Sequence, residues 1–493
     1  MNVLAQLPGL LVAVPLAGAA ISFVAGRRRA PHVAITTAFV VLGLAVALAV
    51  HVLDGGPFRY HVGGWGAPLG IDLVADGAAA LFLVLTAIVG LVVTLYATAY
   101  FRTDDETAYG HGLFWTLWLF MWTSLNALFL TGDVFNVYVC LELVGISAVT
   151  LVTIGGGAEA LRAGARYLFA SMLGAMTYLL GVALLYAATG QLDMDVLRTT
   201  LVADTTAATG LALMIAALVL KTALVPAHFW LPAAHGSAPS PVSAVLSSLV
   251  VKGSYFVILR LMLDVMPAGY LPGVDIFLGV LGSAAIVWGS VQALLQTRIK
   301  QLVAYSTVAQ IGYLFLVFPL ARHGADVLTL ALTGVLVHAL SHGLAKAGLF
   351  LGAGSLMTRF GHDRIADMGG AVRSTPALTF GVALAGVTMM GLPPSGGFGA
   401  KWLLVSAALA SGEWWWAVVL VTGGLLAAAY MFRLLSVLLT DAPTELHASK
   451  GDVRTEWLPL ALALGAVLLV LAIPLVSNLA AASNVLIHAG VTP

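Results

Sequence analysis

The chain has 493 residues and no formal net charge at pH 7; 60% of the residues are hydrophobic and only 9% are charged. Soluble domains carry roughly 25% charged residues, so this composition excludes a soluble globular protein and predicts an all-α protein that crosses a membrane many times. The balanced charge argues against nucleic-acid binding, and the single cysteine, Cys140, excludes an internal disulfide and a thiol metal cluster.

Apolar runs of membrane-spanning length recur along the whole chain and predict about fourteen transmembrane helices. The segment 374–410 is too long for one simple span, and Pro393-Pro394 divides it. We expect the polar connection 439–455 to form a cytoplasmic surface. In chain order, the predicted spans are 4–25, 33–53, 73–100, 112–130, 132–153, 163–187, 206–226, 239–263, 272–295, 301–319, 326–352, 374–410, 414–438 and 456–476.

The distribution of basic residues predicts the orientation of the chain. With the N-terminus outside, 14 of the 22 lysines and arginines fall in cytoplasmic connections, 4 in external ones and 4 within the membrane. Cytoplasmic connections normally carry the excess of positive charge. The sequence therefore predicts a multi-pass plasma-membrane protein with an external N-terminus.

Two predicted spans are interrupted by proline close to a lysine. Pro226 follows Lys221 by five residues, and Pro393-Pro394 precede Lys401. Proline removes a backbone donor, and inside a membrane the freed carbonyls must be satisfied by neighbours or by a water-lined cavity. A pair of interrupted spans in corresponding halves is typical of inverted-repeat transporters. The alternative at each position is a simple kink.

Glu142, Lys221 and Lys252 lie within otherwise apolar spans, where an ionised side chain costs roughly 2.5–3.5 kcal/mol. A lysine near Glu142 would stabilise its carboxylate, and loss of that partner would favour protonation. Lys221 is the natural partner; the alternative is a neutral, hydrogen-bonded glutamate. Lys252 lies too deep in its span for its ammonium to reach the interface easily. These residues indicate a path for protons.

His338, His342 and Lys346 follow one another at spacings of four, which places them on one helical face. Imidazole changes charge nearest to neutral pH, so this polar stripe is a candidate proton wire. A metal site is the rival interpretation, but no third ligand stands nearby in the sequence. A third possibility is helix–helix hydrogen bonding without transport.

Lys401, after the second break, is a candidate for the last site of the path, the alternative being an interfacial anchor. Asp133, His228 and His235 lie nearer helix ends. They are candidate entrance residues, with ordinary roles at helix ends as the alternative.

At three motifs the chain resembles the antiporter-like family shared by Mrp-type multisubunit cation/proton antiporters and the proton-pumping membrane subunits of respiratory complex I. The resemblance runs over roughly residues 70–440. Its motifs are VCLELVGI around Glu142, LKTALVPAHFWLPAAHGSAPSPVSAVLSSLVVK from Leu220 to Lys252, and GLPPSGGFGAK ending at Lys401.

The resemblance implies fourteen helices with two inverted five-helix repeats, each with one broken helix. The expected divisions are 1–111 for three N-terminal helices, 112–263 and 264–438 for the repeats, and 439–493 for the last connection and helix. It implies a path with Glu142 and Lys221 as the coupled pair, continuing through Lys252, His338, His342 and Lys346 to Lys401. Lysine at 401 argues against the complex I subunit that usually has an acid there.

Three functions follow from these features. The first is a transporter subunit, not an enzyme, that exchanges protons for sodium within a complex of other membrane subunits, including a larger paralogue, and holds no cofactor or metal of its own. The second is a proton-pumping membrane component that redox partners drive. The third, an organic-solute symporter or a lipid-handling scaffold, would need a pocket of converging polar and aromatic groups at the breaks, and the sequence shows spaced ionisable residues instead.

Overall fold

The computed structural model describes residues 3–67, 70–101, 109–440 and 452–490 of the chain. These residues form a bundle of long helices with one small hairpin, so the predicted all-α polytopic fold is confirmed. Residues 441–451 of the predicted cytoplasmic connection 439–455 lie outside the described residues.

The helices follow the predicted spans closely. The long helices are α1 (Leu7–Gly55), α2 (Gly77–Tyr100), α3 (Tyr109–Leu130), α4 (Val134–Thr153), α5 (Ala158–Thr189), α7 (Thr205–Thr222), α9 (Ser240–Val265), α10 (Val274–Leu295), α11 (Ile299–His323), α12 (Ala325–Phe360), α13 (Pro376–Met390), α14 (Gly396–Ala410), α15 (Trp414–Leu439) and α16 (Arg454–Ala481). The short helices are α6 (Met194–Thr200), α8 (Leu231–Ser237) and α17 (Asn484–His488), and the strands are β1 (Phe58–His61) and β2 (Asp72–Ala75).

Fourteen membrane crossings can be counted in the described part of the chain. Twelve helices there are long and apolar enough to span a bilayer. The first of them, α1, contains two crossings because its backbone turns at Gly26, and the shorter α13 and α14 together make one more. Between the first two predicted spans, 4–25 and 33–53, the chain turns at Gly26: its φ of 72° is one that glycine adopts without steric cost, and the helix resumes at Arg27.

Nothing in the sequence indicated the hairpin between α1 and α2. β1 and β2 pair antiparallel, with Phe58 opposite Ala75 and His61 opposite Asp72. The third span, predicted from residue 73, therefore begins at Gly77, where the Asp76 carboxylate accepts a hydrogen bond from the Ala79 amide at 2.8 Å. An aspartate at this position satisfies one of the free amides of the first turn.

The hairpin is fastened to the bundle by Arg59, whose guanidinium pairs with Asp72 at 2.8 Å, Asp193 at 3.0 Å and Asp195 at 2.5 Å. Burial disfavours the charged form of Arg59, but the acids around it outweigh that effect and raise its pKa. Nearby, His488 of α17 lies 2.6 Å from Asp264. We call this the Arg59 end of the bundle.

At the opposite end, Arg298 lies 3.9 Å from Glu159 and 3.6 Å from Asp363, and the Ile299 amide bonds to the Asp363 carbonyl. We call this the Arg298 end. The membrane spans run between these two ends, which hold the chain connections. The spans are apolar, and those of α9, α11 and α12 are the most deeply buried in the bundle.

Two pairs of helices cross at glycines whose backbones nearly touch. Gly181 of α5 faces Gly210 of α7, and a Cβ on Gly181 would lie 2.5 Å from the Gly210 carbonyl. Gly282 of α10 faces Gly312 of α11 in the same way, with 2.3 Å from a Cβ on Gly312 to the Gly282 carbonyl. Small residues permit such close approach in membrane bundles.

Both interrupted spans end their first half with the same backbone motif. α7 stops at Ala223 (φ 59°) and α13 at Gly391 (φ 80°), both in the left-handed region. The next amide then bonds back into the last turn of each helix, Leu224 to Val219 and Leu392 to Val387, which is the Schellman arrangement. Each predicted five-helix repeat thus contains one span broken in the same manner.

We predict that Gly312→Ala destabilises the bundle, because the added methyl group meets a backbone carbonyl that cannot move aside. Overpacking of this kind costs about 1–3 kcal/mol. The measurement is the thermal unfolding midpoint of the purified protein in mild detergent. Gly43→Ala is the matched control, since a Cβ there meets nothing within 4 Å. Equal midpoints for the two variants would contradict the close α10–α11 crossing.

Candidate functional site

The structure brings Glu142 and Lys221 together. The Lys221 ammonium lies 4.0 Å from the Glu142 carboxylate, donates to Ser171 Oγ at 3.1 Å and reaches the Leu141 carbonyl at 3.5 Å. The Lys221 side chain is 7% exposed and that of Glu142 is 23% exposed. The lysine is therefore held by α4 and α5, while the carboxylate keeps partial access to its surroundings.

Two glycines make room for the lysine. A Cβ on Gly174 would lie 3.0 Å from Lys221 Cγ, and one on Gly145 would lie 2.3 Å from Ser171 Oγ. Beside the ammonium is a cavity of about 20 Å³, which is enough for about one water molecule. Its lining includes Ser254 of α9 as well as Lys221, so the cavity lies between the Glu142–Lys221 pair and the helix that carries Lys252.

The break after Lys221 is stabilised by an aromatic residue within it. Pro226 lies in the non-helical segment 223–230 between α7 and α8. The Trp230 indole donates to the Leu220 carbonyl at 3.0 Å, and its ring stacks on Tyr167 with centroids 4.2 Å apart. A carbonyl freed at a helix end inside the membrane thereby finds a donor.

Lys346 contacts α11 directly, and Lys252 is connected to the same helix through Ser247. The Lys346 ammonium donates to the Val303 carbonyl at 2.7 Å and to the Ser306 hydroxyl. The Lys252 ammonium donates to the Ser247 carbonyl at 3.2 Å, and the Ser247 hydroxyl bonds to that of Thr307 at 2.8 Å. Both lysines are fully buried. Two π-helical turns, Leu246–Val250 and Leu261–Val265, interrupt α9 on either side of Lys252, a feature often found at functional sites.

The histidine stripe continues along the same face of α11. His338 Nε2 lies 3.0 Å from the Gln310 carbonyl, and the His338 and His342 rings stack 5.6 Å apart and 6° from parallel. Both nitrogens of His342 are buried, and neither has a hydrogen-bond partner among the described residues. His338, His342 and Lys346 therefore form a continuous buried stripe facing α11.

Lys401 is the last of the buried lysines along the described part of the chain and lies beside the second break. Pro393 and Pro394 lie in the non-helical segment 391–395 between α13 and α14. The Lys401 ammonium turns back to donate to the Met389 and Met390 carbonyls at 2.9 and 3.0 Å. The Gln310 amide donates to the same Met389 carbonyl at 3.2 Å, so one carbonyl joins Lys401 to the α11 face.

The three candidate entrance residues occupy different places. His235 is buried against Phe350, with ring centroids 4.8 Å apart, close to Lys300, whose ammonium donates to the Ala238 carbonyl. His228 is half-buried in the first break and accepts a hydrogen bond from the Trp288 indole at 3.2 Å. Asp133 caps α4 at the Arg59 end, accepting from the Asn136 amide at 2.7 Å.

Several polar residues of the site were not predicted from the sequence. Ser306, Thr307 and Gln310 form the α11 face, and Lys300 is buried in the first turn of that helix. The spacing of Ser306, Gln310 and Tyr313 by four and three was a usable signal. Hydroxyl residues such as Ser171 and Ser247 offered none, because serine is ordinary in membrane helices.

The structure offers one group of three metal-ligating side chains among the described residues, and it lies away from the lysines. Asp195, Asp264 and His488 have ligand atoms within 4.8 Å of one another at the Arg59 end. Arg59 and Arg260 already pair with those carboxylates at 2.5 and 3.2 Å, so we interpret the group as an ion-pair network. The histidines of α12 do not belong to such a group.

Comparison with known proteins identifies the family of the chain. Residues 131–427 match the NADH:quinone oxidoreductase/Mrp antiporter transmembrane family. The chain is 37% identical over 440 residues to NADH-quinone oxidoreductase subunit N of Desulforudis audaxviator, covering 87% of this chain and 86% of that protein. It is 29% identical over 392 residues to the D-type subunit of the Na(+)/H(+) antiporter of Alkalihalophilus pseudofirmus, covering 76% and 75%.

Among solved structures, the chain is similar to one in the membrane-bound sulfane sulfur reductase, an archaeal respiratory membrane complex. The TM-score is 0.88 at 26% identity, with 98% of both chains covered. The similarity therefore includes both broken spans and the helices that carry the buried lysines.

We predict that Lys252→Met leaves the thermal unfolding midpoint unchanged or raises it. Lys252 has one backbone acceptor and no acid partner in the described structure, and replacing a buried charge by an apolar side chain of similar length is often neutral or stabilising. Arg260→Met is the contrasting control, because it removes the arginine from the buried carboxylate of Asp264 and leaves that carboxylate only His488; breaking a buried ion pair costs about 3–5 kcal/mol. A marked loss of stability in Lys252→Met would show that the lysine is structural.

Proposed function

The chain belongs to the NADH:quinone oxidoreductase/Mrp antiporter transmembrane family, and we propose that it is the D-type, proton-translocating subunit of a multisubunit Na⁺/H⁺ antiporter. The observation that carries this proposal is the pairing of Glu142 with Lys221 immediately before a broken helix. A buried carboxylate–lysine pair can hold or release a proton when the charge next to it moves.

The proposed path follows the buried contacts. Protons exchange at Glu142 and Lys221 and reach Lys252 by way of the small cavity that both helices line. From Lys252 they pass to Lys346 across the Ser306–Thr307 turn: Lys346 donates to the Ser306 hydroxyl, and Lys252 donates to the carbonyl of Ser247, whose hydroxyl bonds to that of Thr307. His342 and His338 then relay them toward Lys401. Lysine suits such a relay because, unlike arginine, it can lose its proton when buried.

We assign the sodium path to a partner subunit. Glu142 is the one carboxylate that the described residues place in the middle of a membrane span, and a single carboxylate makes no sodium cage. We further propose a plasma-membrane location with the N-terminus outside, which puts the Arg59 end outside and the Arg298 end in the cytoplasm. The partners would be other membrane subunits, including a larger paralogue.

A redox-driven proton pump is the second candidate. The identity to the quinone oxidoreductase relative, at 37%, exceeds the 29% to the antiporter relative, and the solved structure with a TM-score of 0.88 comes from a respiratory complex. The same residues would carry protons in both cases, with a different source of energy.

Mass spectrometry of the subunits that copurify with the tagged chain from mild detergent separates the two candidates. Small membrane subunits together with a larger paralogue support the antiporter. Flavin or iron–sulfur subunits would refute it and establish the redox-driven pump.

Glu142→Gln and Lys221→Ala are each expected to abolish coupled proton transport while the complex still assembles, because each removes one member of the pair that must change charge. The measurement is cation-driven proton flux into membrane vesicles, followed with a pH-sensitive dye. Asp326→Asn is the control, since Asp326 is an exposed acid in the first turn of α12. Near-normal flux in either pair variant would refute the role of the pair.

Lys401→Ala is expected to lower proton flux in the same vesicles, and to a smaller extent than the pair variants if a second exit exists. Its ammonium contacts only carbonyls and the Tyr313 ring among the described residues, with 4.7 Å to the ring centroid. Unchanged flux would show that Lys401 is an anchor for the broken span.

A further inference from the structure

A pocket of about 250 Å³ opens at the Arg298 end between α5, the half-helix α8 and α11. Arg162 and Arg166 of α5 form one wall, and Ser237 and Gln301 form the others. Glu159 also lines the pocket, and its carboxylate lies 3.9 Å from the Arg298 guanidinium. The proton path described above does not use this pocket.

Two arginines give one wall of the pocket a positive charge. Arg162 and Arg166 are one helical turn apart on the same face of α5, and both are exposed. In the described part of the chain neither guanidinium has an ion-pair partner. A planar guanidinium fork matches the oxygens of a phosphate group.

An apolar strip begins beside the two arginines and runs up the same helix. Phe169 is 71% exposed, Leu173 61% and Leu180 55%, at spacings of four and seven that keep them on one side of α5. A charged pocket at the end of a span, continued by an exposed apolar strip along that span, fits an amphiphile with an anionic head and acyl chains.

We propose that this pocket binds the phosphate headgroup of an anionic phospholipid, held by Arg162 and Arg166 and with the acyl chains lying along α5. Basic pockets between membrane helices are a recognised type of site for such headgroups. Ser237 and Gln301 supply further donors from the other two walls.

The lipid would connect elements that meet at the first break. α8 is the second half of the broken span and carries the buried His235. It packs so closely on α11 that a Cβ on Gly236 would lie 2.2 Å from Gln301 Nε2. α5 carries Tyr167, which stacks on Trp230, and Ser171, which accepts from Lys221. An occupied pocket therefore braces α8 against the helix that positions Lys221.

Native mass spectrometry tests the binding directly. The chain, in its complex, is equilibrated in mild detergent with phosphatidylglycerol or phosphatidylcholine, and the lipid that remains bound is counted. The test variant is Arg162→Gln with Arg166→Gln, and the control is Arg28→Gln with Arg29→Gln. The control removes the same charge from exposed residues of α1, which are expected on the same side of the membrane.

Wild type and control are expected to retain phosphatidylglycerol over phosphatidylcholine, and the pocket variant to bind it more weakly by roughly 10- to 30-fold for two lost charges. Arg162→Lys with Arg166→Lys keeps the charge and should bind at an intermediate level because it loses the fork. Equal retention by all variants, or an equal loss in the control, overturns the site. If the double glutamine variant does not fold, the intermediate binding of phosphatidylglycerol expected for the double lysine variant tests the site instead.

A competition experiment distinguishes a phospholipid from a soluble phosphate as the ligand of the pocket. Inorganic phosphate at millimolar concentration is expected to leave the bound phosphatidylglycerol in place, because it lacks the chains that contact α5. Displacement by inorganic phosphate would show that the pocket serves a soluble anion and would overturn the lipid proposal. These readouts do not depend on proton flux, so their failure is distinct from a failure of the proposed function.

Discussion

A polar group inside a bilayer has no water to bond with, and this constraint explains most of the unusual features of the bundle. Each broken span exposes carbonyls at mid-membrane, and in each case a side chain satisfies them: the Trp230 indole at the first break and the Lys401 ammonium at the second. The same constraint holds for the lysines, whose ammonium groups reach carbonyls and hydroxyls at 2.7–3.5 Å. These contacts hold the buried lysines in place largely through neutral acceptors, and the proposed path requires that their charge can change.

Helix α11 organises the second half of the site. Val303, Ser306, Thr307 and Gln310 occupy successive turns of one face and meet side chains from α9 and α12 and a carbonyl of α13. A buried polar face of this kind is stable only when its members are paired. On the other side, Gly312 lets α11 approach α10 at backbone distance. Helix α11 therefore packs closely on α10 through one face and contributes the polar residues along the row from Lys252 to Lys401 through the other.

The sequence was sufficient for the spans and the buried charges because a lysine in an apolar run is conspicuous and membrane helices have a fixed length. Lys221, Lys252, Lys346 and Lys401 were found in this way, and the structure places all of them in the interior. The hairpin of β1 and β2 was missed because strands of four residues are too short to show a period. The turn between the first two spans could not be placed at Gly26 because a single glycine has many uses. The acceptors Ser171, Ser306 and Gln310 could not be ranked from sequence, since their role depends on which helices meet.

In the proposed path, Glu142 changes its protonation state during transport. Infrared difference spectroscopy of the assembled complex, recorded as the pH is stepped across the working range, measures this directly. We expect a carboxyl band that appears and disappears with pH in the wild type and is missing from Glu142→Gln. A carboxyl spectrum identical in the two proteins at every pH would contradict a proton path through the Glu142–Lys221 pair.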